Sequence, residues 1–118
     1  MAVKRIDRIN SELQTEIAKI INYELGDGRL QGIISVIRVE TDNDLNQSLV
    51  YVSIYNKNKE AVKSCFNALL DSAGYVRKLL ASRLKLRTVP SIKFILDTSM
   101  EYSEKINNIL SKIEIPEE

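Results

Sequence analysis

Between Gly74 and Lys93 the chain carries six cations, Arg77, Lys78, Arg83, Lys85, Arg87 and Lys93, and not one carboxylate. Guanidinium and ammonium groups at this density suit one chemistry above others, the charge-assisted binding of phosphate oxygens along a polyanion. A charged run on a helix is more often only a solvated face, but such faces usually mix signs, and this one does not. Read as a helix, Arg77, Lys78, Ala81, Ser82 and Lys85 fall within about 140° at roughly 100° per residue, opposite or beside Val76, Leu80 and Leu84. Arg83 turns toward the apolar side, where its stem would snorkel. Arg87 extends the patch past the helix end, and Lys93 carries it into the next strand. Lys4, Arg5 and Arg8 form a second group in or before the first turn of an N-terminal helix, where the helix dipole disfavours cations and an anionic partner would relieve them. Ordinary solvated charge accounts for those three equally well.

Other chemistries find little support. The chain has no histidine, the commonest acid/base group and metal ligand near neutral pH. Its one cysteine, Cys65, lies beside Phe66 among apolar residues and reads as inert core. Asp42 and Asp44 are the closest carboxylate pair, yet one loop supplies too few ligands for a metal. Gly26, Gly28 and Gly32 lack the following Lys-Ser/Thr of a phosphate-cradling loop and read as a connector. No catalysis and no cofactor are expected. A net charge of +1 is itself neutral on the question of partners. Its distribution is not, because from Asp97 to Glu118 six acidic residues oppose only Lys105 and Lys112, leaving a net of −4.

The elements that must hold the cations follow from periodicity. With 118 residues, 44% hydrophobic and 28% charged, the chain reads as one soluble globular domain, residues 1–118. It contains no apolar run of membrane-spanning length and no secretion signal, and a lone cysteine fits reducing, cytoplasmic surroundings. Ile6, Ile9, Leu13, Ile17, Ile20, Ile21 and Leu25 recur at helical spacing over residues 5–25. Ile33–Glu40 and Leu49–Tyr55 read as antiparallel strands around a polar connection. In the second strand Tyr51 and Tyr55 share one side, where they could stack on bases or line the edge of the core; the missing aromatic recognition motif favours the core edge. Asn56 and Asn58 offer caps for a helix from about Lys59, along which Val62, Phe66, Leu69, Ala73, Val76, Leu80 and Leu84 repeat in steps of three and four. Through Ser72, Ala73 and Gly74 the residues allow either one long helix with a close-packing glycine or two helices joined at a kink. Val89-Pro90 stops the helix, Ile92–Leu96 reads as a third strand, and Thr98 with Glu101 opens a last helix through Tyr102, Ile106, Ile109, Leu110 and Ile113. A helical crossover before the third strand makes it parallel to one of the first two.

Ala68-Leu69, then Ala73-Gly74-Tyr75-Val76-Arg77, then Leu86-Arg87-Thr88-Val89-Pro90, Phe94 and Asp97-Thr98-Ser99, in that order and spacing, resemble the bacterial ribosome-binding factor A family. Arg5, Arg8, Ile9, Glu12, Glu16, Ile17, Asp27, Arg29-Leu30, Asp44-Leu45 and Val50-Tyr51-Val52-Ser53 support the match, which covers nearly the whole chain. The resemblance implies an α+β fold, a single KH-like domain of type II with the order α-β-β-α-kink-α-β-α and a three-stranded mixed sheet with helices on one face. In that family an Ala-x-Gly kink replaces the Gly-x-x-Gly loop, so the kink is expected at Ser72-Ala73-Gly74, with serine where relatives usually have alanine. Gly28 stands where relatives commonly carry proline. The resemblance also implies a non-enzymatic, monomeric partner of the small (30S) ribosomal subunit and its 16S rRNA, assisting late maturation, pre-rRNA processing and growth in the cold, with ribosome-assembly GTPases as further partners. The alternative is a protein adaptor whose basic face meets an acidic partner and whose acidic terminus masks it.

Overall fold

Ile9, Leu13, Ile17, Ile20 and Ile21 are all buried along one side of α1 (Arg5–Tyr23), as their spacing predicts. The structure, a computed structural model, describes residues 5–98. The expected last helix lies outside the described residues, as does Lys4. After α1 come β1 (Ile33–Thr41), β2 (Gln47–Tyr55), α2 (Lys59–Arg83) and β3 (Ser91–Leu96).

β2 is the central strand. It pairs antiparallel with β1 and parallel with β3, which gives the mixed three-stranded sheet in the order β1-β2-β3. Alternation along β2 buries Ser48, Val50 and Val52 on the helix side, and Ile34, Val39, Ile92 and Phe94 of the neighbouring strands join them. α2 closes that core with Cys65, Leu69, Val76 and Leu80. Each such large aliphatic is worth about 1.5–3 kcal/mol relative to an exposed one, so the single shared core orients both helices on one sheet face. Buried Ser48 is satisfied by a hydroxyl–hydroxyl contact of 2.7 Å with Thr41.

Two irregularities are met by polar side chains. The β1–β2 register slips between Val36 and Arg38, and the Gln14 amide of α1 donates to the carbonyls of Val36 (3.0 Å) and Ile37 (3.3 Å) at that bulge. In the β1–β2 turn Leu45 adopts a φ of 58°, and the Asp42 carboxylate accepts the Asn46 backbone N–H at 2.7 Å. Asp42 is thus a turn-former, and the described residues hold no cluster of carboxylates, cysteines or histidines suited to a metal.

One α-helix runs from Lys59 to Arg83 through Ser72, Ala73 and Gly74, so the two helical segments expected on either side of this triplet form a single continuous element. The Ser72 hydroxyl donates to the Ala68 carbonyl at 2.7 Å, sharing the acceptor of the helix's own i−4 hydrogen bond, a contact that tends to bend a helix without ending it. Gly74 does not pack closely: a β-carbon there would meet no atom within 4 Å. The glycine whose backbone demands glycine is Gly32, with φ +95° and only 2.3 Å between an added β-carbon and the Tyr55 carbonyl oxygen. Asn58 caps α2, accepting the Glu60 N–H at 2.9 Å, while Asn56 braces Asn58 from the preceding turn.

Candidate nucleic-acid interface

The basic run is distributed by the end of α2. Arg83 is the last helical residue, and Leu84 is an extended cap whose N–H still reaches the Leu80 carbonyl. The chain then turns back along the helix to buried Pro90 and into β3. Between the outer side of α2 and this returning loop lies an open groove of about 590 Å³, lined by Gly74, Arg77, Lys78, Ala81, Leu86, Arg87 and Val89.

Arg77 fixes the groove's shape. Its Nε and Nη2 donate to the Val89 carbonyl at 3.1 and 2.9 Å, tying the helix to the loop while the remaining guanidinium donors stay available. Lys78 and Arg87 are exposed and form no ion pair among the described residues. Gly74 and Ala81 contribute almost no side chain, so the floor between the cations admits close approach to the helix backbone. The arrangement can hold a phosphate-bearing strand by charge and shape.

The other cations expected at the site are elsewhere. Lys85 follows the helix end, so the helical wheel does not apply to it; it is exposed in the loop and does not line the groove. Lys93 points from β3 to the sheet face away from the helices, level with Leu49 on β2. Arg5 and Arg8 are exposed on the first turns of α1, which packs on β1, and neither lines the groove. Arg83 does not snorkel alone: its guanidinium pairs with Glu24 just beyond α1, which raises its pKa.

Tyr51 and Tyr55 also depart from expectation, since they face away from the core on the open side of the sheet. The Arg38 guanidinium covers the Tyr51 ring at 3.9 Å from its centroid. Tyr51 and then Glu40 push the Arg38 pKa upward. Cys65 is fully buried as expected, and desolvation pushes its thiol pKa up against a smaller opposing hydrogen bond from the Gln31 backbone. The pattern of residue types carried no sign of the Arg77–Val89 clasp, whose acceptor is a backbone carbonyl, or of the Arg83–Glu24 pair, whose members lie 59 residues apart.

Known proteins share this architecture. A family model described as Ribosome-binding factor A matches residues 5–110. A Caldicellulosiruptor bescii protein named Ribosome-binding factor A is 40% identical over 119 aligned positions, spanning 100% of this chain and 90% of the relative. The crystal structure of ribosome-binding factor A from Thermus thermophilus superposes with a TM-score of 0.66 at 24% identity, covering 77% of this chain and 93% of that one, and so shares the fold. A homology model of the Thermus thermophilus factor, fitted into the cryo-EM map of its complex with the 30S, gives 0.59 at 25% identity over 75% of this chain and 91% of that one. The chain belongs to the ribosome-binding factor A family.

Proposed function

We propose that this protein is an RNA-binding factor of the small ribosomal subunit, contacting 16S rRNA through the groove between α2 and the loop before β3. Acting without catalysis and as a monomer, it assists late maturation of the subunit and processing of its precursor rRNA, including during growth in the cold. Assembly GTPases are the further partners this role would bring. The observation that carries the reading is the groove itself: Lys78 and Arg87 face solvent with no carboxylate partner among the described residues, around a glycine and alanine floor, and Arg77 is clasped beside them. Family membership and the 30S complex of the Thermus thermophilus factor support the choice of target.

The test is a salt series of binding to purified small subunits. Each phosphate contact contributes roughly 0.7 to 0.9 to the slope of log affinity against log salt, so changing Lys78 and Arg87 together to glutamine should flatten the slope by about 1.4 to 1.8. Arg77 is left in place because it also holds the loop. Exposed, unpaired charges are usually worth within about 0.5 kcal/mol each, so the double variant should melt close to the parent. A folded double variant with the parental slope would overturn the groove as the contact. The protein-adaptor reading predicts weak binding to bare RNA from the outset.

A further inference from the structure

Because α2 is one continuous helix, its outward side carries a stripe longer than the groove. Lys63, Asn67, Leu70, Gly74, Lys78 and Ala81 follow at steps of three and four, all exposed and opposite buried Cys65, Leu69, Val76 and Leu80. At about 1.5 Å of rise per residue, Lys63 stands some 22 Å from Lys78 along the axis. Lys63 and Lys78 bracket Asn67, Leu70 and Gly74, and Leu70, 45% exposed, is the stripe's one large apolar side chain. Exposed Glu60 precedes Lys63 by one turn, and Asp71 flanks the stripe with its carboxylate held by Arg29 at 3.0 Å.

We propose that this stripe seats the protein on double-stranded RNA, lying across the minor groove with Lys63 and Lys78 on opposing phosphate backbones. The inference rests on the RNA-binding reading above and names the form of RNA. A-form duplexes present a wide, shallow minor groove lined with 2′-hydroxyls, and proteins recognise it by shape, ribose and phosphate contacts. A continuous helix with few charges at its centre fits such a surface, with Leu70 and Gly74 against riboses and the Asn67 amide within reach of a 2′-hydroxyl. Single strands are bound differently, by stacking bases on aromatic side chains. The stripe has no aromatic residue: exposed Tyr75 of α2 lies about 100° round the helix from its midline, and Tyr51 and Tyr55 lie on the far side of the sheet.

The experiment measures anisotropy of a labelled RNA duplex of about 16 base pairs, of one of its strands alone, and of the DNA duplex of the same sequence, each across a salt series. The protein should bind the RNA duplex more tightly than the single strand or the DNA. Lys63→Gln removes one phosphate contact, so the affinity lost between about 50 and 200 mM salt should shrink by about 3.5-fold on the duplex. Asn67→Leu should narrow the preference for RNA over DNA and leave the salt slope unchanged. Tighter binding to the single strand, or a parental slope for folded Lys63→Gln, overturns the proposal. Purified small subunits separate the two failures. If Lys78 and Arg87 changed to glutamine flatten the slope there and Lys63→Gln does not, the groove stands and the duplex stripe falls; if neither does, both fall.

Discussion

Two junctions of this chain use the same residue types to opposite ends. At the first, from Glu24 to Gly32 between α1 and β1, every charged group is matched: Arg29 meets Asp27 at 2.7 Å and Asp71 at 3.0 Å, and Glu24 meets Arg83. Gly32 sits there at φ +95° against the Tyr55 carbonyl. At the second, where α2 faces the loop returning to β3, Gly74 has open space around it, and Lys78 and Arg87 have no carboxylate among the described residues. The first junction is internally satisfied and holds the fold. Its counterpart leaves charge and backbone free for something outside the molecule.

The comparison breaks most sharply at the two glycines. Gly32→Ala must either leave the left-handed region or push a methyl into the Tyr55 carbonyl, and both strain the start of β1. A loss of more than about 3 kcal/mol is expected in denaturant titration. A cost near that of a surface substitution would show that the first junction is not tightly determined.

Cys65 is fully buried on the core side of α2, where the Gln31 backbone of that junction lowers its thiol pKa against the larger rise from burial. Cys65→Ser places a hydroxyl where only part of its hydrogen bonding can be met and should cost about 1–3 kcal/mol. RNA affinity per folded molecule should not change, because the thiol faces away from the groove. Loss of binding by fully folded Cys65→Ser would join the two junctions that the geometry separates.

How much of this was legible in the residues depends on the range of the interaction. The stripe of α1, the alternation of β2 and the Asn58 cap were all readable, because each is decided by neighbours within a turn or a strand. Gly74 drew attention as the helix-interior glycine, whereas Gly32, next to other turn-formers, looked like connector. Only the approach of Tyr55 from β2, 23 positions away, separates them. The six cations were visible, but their sorting was not. Arg83 is paired with Glu24 beyond the end of α1, Arg77 is clasped to a main-chain oxygen, and Lys85 leaves the wheel because α2 ends at Arg83 without a glycine or asparagine to announce it.

A smaller effect, confined to acid, follows from Asp27. Hydrogen bonds from the Arg29 side chain, then from its backbone, hold the Asp27 carboxyl down to about 2, against an ordinary value of 3.8. A carboxylate whose folded pKa lies below its unfolded value stabilises the fold above the unfolded pKa and loses that contribution as pH falls through the folded one. The window is therefore about pH 4 to 2. Asp27→Asn should lower the melting temperature modestly at neutral pH and flatten its fall across that window. An acid limb identical to the parent's would show that the Asp27–Arg29 contact does not persist in solution.

The smallest stability change should come from Gly74, and its sign is what matters. In an unbroken helix with nothing near the added β-carbon, alanine restricts the unfolded chain and improves helix propensity, so Gly74→Ala should stabilise by about 0.5–1 kcal/mol. A kink or a close-packed backbone at this position would instead make the same change destabilising, so a thermal melt distinguishes the two. Binding should move the other way. The methyl projects into the floor of the groove, between Arg77 and Lys78, and holds a phosphate-bearing strand off the helix by roughly the width of a methyl group. Weaker affinity for small subunits with an unchanged salt slope is expected, since no charge is lost. A variant both more stable and equally tight would show that the bound strand does not touch the helix at Gly74 and that Arg77, Lys78 and Arg87 act on phosphates at their tips alone.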